Sequence, residues 1–348
     1  MHVSDFDFHL PDDLIAQTPS ARRGDSRLLV LPRAGGALTH TRFPALGDWL
    51  REGDLLLLNN TRVFPARLLG HRVPSGGAVE CLLMRPVEDE GDWEALVSPG
   101  ARLKPGAAVV FERDGVSIEG EILERRPFGR RRVRLRVTTG GTLEAAIDRV
   151  GHIPLPPYIK RDDTPEDRER YQTVFAAQRG SIAAPTAGLH FTPELLDSLA
   201  ARGVQRAEVT LHVGYGTFKP VRVERVEEHA VDPETISVGA AAAAALTAAL
   251  REGRRVIAVG TTTARALESL EITDGEVSAA QRETALFIRP GHQFRVLSGL
   301  VTNFHLPCSS LLMLVASFAG VDPTLDAYRA AVTERYRFYS YGDAMLVI

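Results

Sequence analysis

Cysteine is nearly missing from this sequence. Cys81 and Cys308 are its whole complement, far apart and outside any CxxC pair. That excludes a disulfide framework and a cysteine-built metal site, and it fits a reducing compartment. Long apolar runs are missing as well. The most apolar stretch, residues 311–319, falls well short of the roughly 20 residues that cross a bilayer, so no membrane span is expected. The first residues carry Asp5 and Asp7 where a secretory signal needs basic and then apolar side chains, so the N-terminal segment is expected to be folded structure. Nor is there an excess of positive charge. The 41 basic and 44 acidic side chains leave a formal charge of -3, so a nucleic-acid partner must be held by a local patch. Without HExxH or a compact carboxylate cluster, no metal is expected either.

What is present has the length and mix of a globular chain of two or three domains. Gly53-Asp54 introduces Leu55-Leu56-Leu57-Leu58, a run that reads as a strand buried on both faces, with Asn59-Asn60-Thr61-Arg62 displayed at its end. The texture then changes to short β-rich pieces at 78–84, 93–97, 107–111 and 132–137, separated by glycine and proline. Helical periodicity returns at 142–148. A stiff connection follows, Gly151-His152-Ile153-Pro154-Leu155-Pro156-Pro157-Tyr158.

Beyond it, strands and helices alternate. Thr192-Pro193-Glu194 opens a helix over 195–202 that Gly203 closes. A strand at 206–213, a helix at 240–251, a strand at 256–259, a helix at 264–270 and a buried helix at 311–319 are expected after it. The predicted architecture is an α/β (mixed α+β) main domain of residues 1–62 and 148–348, with a small β-barrel domain of residues 63–147 inserted into it.

Six constellations bear chemistry. Gly180 to Thr192 is a loop of small residues running into a helix N-terminus, where free amides favour an acceptor, and His190 stands just before it. His190 either transfers a proton there or packs locally. Along 206–213, Thr210 and His212 face away from Val209, Leu211 and Val213. Gly214-Tyr215-Gly216-Thr217-Phe218 then makes a ligand approach or an ordinary turn. Gly260-Thr261-Thr262-Thr263-Ala264-Arg265 sits between a strand and a helix, without the lysine of a P-loop or the spacing of a dinucleotide site. It binds a ligand or merely caps the helix. Asn303 and His305 share a face if Leu300 to Pro307 is extended. The aromatic segment from Tyr336 to Asp343 either stacks on bases or fills the core. Finally, residues 125–136 hold seven arginines and no acid, with Arg132, Arg134 and Arg136 on one strand face. Uncompensated neighbours of like charge point to an external polyanion such as RNA phosphate.

Phe6-Asp7-Phe8-His9-Leu10-Pro11, Asn59-Asn60-Thr61-Arg62-Val63, the Gly151 to Tyr158 connection and Arg170-Tyr171-Gln172-Thr173-Val174-Phe175-Ala176 belong to a wider pattern. So do Ala184-Pro185-Thr186-Ala187-Gly188-Leu189-His190-Phe191, Leu211-His212-Val213-Gly214, Thr302-Asn303-Phe304-His305-Leu306-Pro307 and Tyr341-Gly342-Asp343-Ala344-Met345-Leu346. Together they resemble the S-adenosylmethionine:tRNA ribosyltransferase-isomerase family of queuosine biosynthesis. The resemblance spans nearly the whole chain and is weakest over the arginine-rich insertion. Ser298 stands where an aspartate is usual, Tyr215 where a small residue is, and Ser310 where a threonine is. A serine is no base unaided, so Ser298 is left out of the catalytic set.

The resemblance implies transfer and isomerisation of the ribosyl group of S-adenosylmethionine onto 7-aminomethyl-7-deazaguanine in tRNA. It implies a donor that is a substrate rather than a resident cofactor, and no metal. A cytoplasmic monomer is expected. His190, His212 and His305 form the pool for a base and an acid, with Asp343 beside them. Thr186, Gly188, Thr217, Thr261 and Thr262 are expected to line the donor, and Arg265 to meet its carboxylate. Asn60, Arg62, Asn303 and Tyr341 are expected to hold the acceptor base, and Arg132, Arg134 and Arg136 the RNA phosphates. Two rivals stand beside this reading. An S-adenosylmethionine-dependent RNA methyltransferase should show a glycine-rich turn after its first strand and an acid ending the second, and neither is found. A non-catalytic RNA-binding module leaves the three histidine loops unexplained.

Overall fold

The computed structural model describes residues 1–348 except Glu88, Tyr215 and Thr217 to Lys219. Thr217, expected at the donor site, therefore lies outside the described residues. The chain begins with β1 (Arg27–Leu31) and β2 (Thr39–Arg42), an antiparallel pair, and continues into β3 (Leu55–Asn59). Successive side chains of β3 enter different cores: Leu55 and Leu57 one, Leu56 and Leu58 the other. A strand covered on both faces has to be apolar at every position, which is why four leucines in a row make one here.

A short strand, β4 (Thr61–Val63), then carries the chain off the sheet. Strands β5 (Arg67–Val73), β6 (Ala78–Pro86), β7 (Asp92–Ser98), β8 (Ala108–Arg113), β9 (Val116–Arg125) and β10 (Arg130–Thr139) follow. They close as a barrel in the order β10-β7-β6-β5-β8-β9. Strands β5 and β9 were not among the pieces expected, because each carries a glycine that weakens its pattern. Both glycines are steric necessities. A Cβ on Gly70 would lie 2.0 Å from the Val110 carbonyl oxygen, and one on Gly120 would lie 2.7 Å from Val109. Helix α1 (Leu143–Val150), capped by Thr142, drives Ala146, Ile147 and Val150 into the barrel core.

The chain returns through α2 (Asp167–Arg170) and β11 (Gln178–Ser181), which pairs in parallel with β4. Then come α3 (Pro193–Ala201), β12 (Gln205–Leu211), β13 (Glu234–Val238), α4 (Ala240–Arg251), β14 (Val256–Val259) and α5 (Thr261–Glu268). A hairpin of β15 (Ile272–Thr273) and β16 (Glu276–Val277) precedes β17 (Ala280–Thr284), β18 (Gly299–Asn303), α6 (Ser310–Ala319), α7 (Val321–Thr333) and β19 (Ala344–Val347). Among the described residues the main sheet runs β17-β13-β12-β3-β14-β18-β19-β1-β2. Its centre, β12-β3-β14-β18, is parallel, and its flanks are mixed. Helices α4 to α7 cover one face, and α3 with the Phe43–Asp48 turn covers the other. The mixed α/β class expected from the sequence is the class observed.

Helix α3 starts where its cap lies: Thr192 accepts from the Leu195 amide at 3.2 Å. Helix α5 starts three residues earlier than expected. Gly260 reverses the chain in one step at φ 94°, a conformation that costs glycine little, so Thr261 to Thr263 form the first turn rather than a loop. No single helix among the described residues is long and apolar enough to cross a membrane.

Candidate active site

In open α/β sheets the carboxyl ends of the parallel strands are where ligands bind. Here those ends carry Asn59 on β3, His212 just past β12, Gly260 just past β14, and Asn303 on β18. The barrel departs from the same edge. Its wall and the sheet edge enclose a cleft of about 830 Å³, with Phe64, Trp93 and Ile182 on its apolar sides and His212, Asp232 and Glu234 among its polar groups. A second, smaller cavity of about 50 Å³ is lined by Thr186, Thr261, Thr262, Asn303 and His305. Val213 forms part of both walls.

The three histidines occupy different settings. His212 is half-buried, its Nδ1 lies 2.8 Å from the Thr61 hydroxyl, and no described residue bonds its Nε2. Burial lowers its pKa, so the ring is neutral near pH 7. His190 is closed on both sides. Its Nδ1 meets Ser26 Oγ at 2.7 Å and its Nε2 accepts from the Asn303 amide at 3.1 Å, while Phe43 covers the ring at 5.0 Å. His305 binds Thr302 Oγ1 through Nε2 at 2.8 Å and faces the smaller cavity. Burial lowers both of these imidazoles to about 3.

Asp343 lies away from both cavities. Its oxygens accept the Arg27 and Arg337 amides at 2.8 Å each, fastening β1 to the loop before β19, and burial raises its pKa. The Tyr341 hydroxyl donates at 2.6 Å to Asp167, whose carboxylate is gripped by Arg161. Tyr336 and Phe338 are fully buried beside Phe304, so the aromatic segment is core. Asn60 bridges Glu208 and Thr210, and Arg62 is exposed. Thr186 reaches the smaller cavity. Gly188 makes room for its neighbours, since a Cβ there would lie 2.7 Å from Thr173. Arg265 is ion-paired with the buried Glu234, and burial lowers its pKa to about 10.

The expectation of an uncompensated cationic strand face has to be corrected. Arg132 and Arg134 both donate to Asp92 at 2.7 Å, and β10 lies in register with Glu121 and Glu119 opposite Arg134 and Arg136. The acids come from neighbouring strands, so a reading along one segment could not see them. Arg136 alone of the three is exposed.

Sequence reasoning passed over Thr61, Phe64, Trp93 and Glu234. Strand alternation was a usable signal for Thr61, which is buried against the β11 backbone while its neighbour Arg62 faces solvent. Nothing local marks Glu234 as the partner of Arg265, because that pairing is tertiary. Ser298 is settled by position. Its backbone and hydroxyl bond Val256 at the opposite, N-terminal end of β14 and β18, so the missing aspartate does not touch the candidate site.

Neutral imidazoles and hydroxyls at the carboxyl edge of a parallel sheet, roofed by a β-barrel, define an α/β protein with a cleft of a size for a small organic ligand. Known proteins narrow this further. The chain belongs to the queuosine biosynthesis protein family, whose model matches residues 3–347. It is 51% identical over 348 residues to a protein of Carboxydothermus hydrogenoformans and 49% identical over 348 residues to one of Desulfitobacterium hafniense, with 100% of each chain covered. Both relatives are named S-adenosylmethionine:tRNA ribosyltransferase-isomerase. The crystal structure of an S-adenosylmethionine tRNA ribosyltransferase from Thermotoga maritima is similar with a TM-score of 0.56 at 38% identity, covering 99% of this chain and 100% of that one.

Proposed function

We propose that this chain transfers and isomerises the ribosyl group of S-adenosylmethionine onto 7-aminomethyl-7-deazaguanine at the tRNA wobble position, giving epoxyqueuosine-tRNA and releasing adenine and methionine. The observation that carries the proposal is the end-to-end similarity, at about half of all positions, to relatives named for that activity. The cleft supports it. Its lining holds eight acids against three arginines, which disfavours phosphate and suits an ammonium-bearing base, and Trp93 and Phe64 offer it aromatic surface.

A sulfonium acidifies the adjoining ribose methylene, so the reaction needs a positioned base. His212 takes that role in this reading. With the Thr61 hydroxyl donating to the Gln178 carbonyl, His212 Nδ1–H donates to Thr61 and Nε2 is left as a lone-pair acceptor. His190 and Asp343, their polar atoms already engaged, hold the framework, and His305 with Thr186 and the backbone of Thr261 and Thr262 positions the donor. Asn60 and Arg62 order the acceptor side, whereas Asn303, expected there, lines the donor's cavity instead; Tyr341 supports the acceptor side through Asp167, and exposed Arg136 meets phosphate. Residues 63–147 act as an inserted domain carried by a catalytic domain of residues 1–62 and 148–348, working as a cytoplasmic monomer.

Chromatography of the small molecules formed from S-adenosylmethionine with tRNA bearing the aminomethyl base tests this. Adenine and methionine are expected in step with a mass gain on the tRNA. His212→Gln should lower turnover about 10²- to 10⁴-fold with an unchanged thermal melt. S-adenosylhomocysteine as the product would make the protein a methyltransferase, and wild-type turnover by His212→Gln would remove that ring from the mechanism.

A further inference from the structure

We infer that the smaller cavity is the seat of the donor's α-amino-acid group, with its carboxylate on the first turn of α5 and its ammonium on Asn303. The inference rests on the donor being S-adenosylmethionine. Two independent features of one cavity lead to it. No side chain caps α5, and the amides of Thr261, Thr262 and Thr263 find no acceptor among the described residues. An uncapped helix N-terminus of this kind favours an anion. Facing the same space is Asn303, 2% exposed, whose Oδ1 is buried without a partner among the described residues.

The orientation of that amide is fixed. Its Nδ2 donates to the Tyr339 carbonyl at 3.0 Å and to His190 Nε2 at 3.1 Å, so turning it over would set oxygen against oxygen. His190 thereby acquires a positioning role, since its unprotonated Nε2 holds Oδ1 toward the cavity. A buried acceptor left unsatisfied is costly, and a ligand donor relieves that cost.

An array of donors and a lone acceptor across one small space match a zwitterion. At about 50 Å³ the cavity has room for a few water-sized groups, enough for an amino-acid head and too little for a purine. The nucleoside then falls to the larger cleft beyond Val213, where His212 stands. Arg265, the side chain expected to meet the carboxylate, is already neutralised by Glu234.

Two neutral thioethers isolate the head group: S-adenosylhomocysteine carries it and 5′-methylthioadenosine lacks it. By calorimetry the first should bind the full-length protein at least about tenfold more tightly. Thr261→Pro deletes one amide while keeping a φ that suits a first helical position. It should weaken S-adenosylhomocysteine about tenfold, the worth of one charge-assisted bond, and leave 5′-methylthioadenosine unchanged. Thr261→Ala, which keeps the amide, should preserve the preference. Equal binding of the two thioethers by the wild type, or a parallel loss of both in Thr261→Pro, would overturn the inference. A preserved preference with no adenine released from S-adenosylmethionine and tRNA would instead sink the transferase reading and leave the subsite standing.

Discussion

Lowering the pH from 7 to 5 probes the two histidines that lie deepest in the molecule. His190 and His305 titrate near the ordinary value of 6.5 once unfolded, and burial holds each at about 3 in the native protein. Between those values the unfolded chain binds protons that the folded chain refuses, so native stability falls as pH falls. Integrating from pH 7 to pH 5 gives about 2 kcal/mol for each ring, or about 4 kcal/mol together. Most of it is lost below pH 6.5, and nothing comparable is lost between 7 and 8. Guanidinium unfolding at the two pH values measures the total. Replacing His305 by Gln should shrink the pH-dependent part by about 2 kcal/mol, whatever the substitution does to stability at pH 7. The imidazole Cε1–H resonances of the native protein give the direct check. A native resonance for either ring titrating near pH 6.5, or a His305→Gln variant with the full wild-type acid loss, would refute the reasoning.

Two further outcomes follow from the geometry of the cleft wall and the barrel. Gly180→Ala should lower turnover at least about tenfold without lowering S-adenosylhomocysteine affinity, because the new Cβ would lie 2.7 Å from His212 Cε1 at a backbone φ of +150°; steady-state kinetics beside calorimetry separates the two effects. Asp92→Asn should release Arg132 and Arg134 from their shared carboxylate, lower the thermal midpoint, and steepen the salt dependence of tRNA binding by about one to two phosphates' worth; an unchanged salt slope would show that neither guanidinium becomes available.

The sequence was most legible where one local signal decides a structure. Four leucines can only alternate between two cores, Thr192-Pro193 can only open a helix, and Gly253 stops the alanine-rich Ala240–Arg251 helix. Legibility failed where partners come from elsewhere in the chain. The arginines of β10 looked unopposed because Asp92 and Glu121 sit on other strands, and the aromatic tail left stacking and core packing both open because Phe304 and Tyr328, which close over it, lie elsewhere in the chain. For the candidate site, residue types picked out loops that meet at the sheet edge, but not which atoms are free. His190 and His212 read alike in sequence. One has both nitrogens engaged and the other has one to spare, a distinction set by Ser26, Asn303 and Thr61.

The chain enters and leaves the barrel through one doorway, where Thr61 and Arg62 lie beside Gln178 and Arg179. One wall of the cleft thus belongs to the sheet and the other to a cassette. Lengthening, trimming or exchanging barrel strands leaves the register of the four central strands untouched, because no hydrogen bond of that sheet runs through the cassette. Groups on the sheet edge and groups on the barrel wall are therefore free to change at different rates. On the function proposed above, altered RNA selectivity should be reachable by grafting residues 63–147 alone, with the histidine edge carried over unedited.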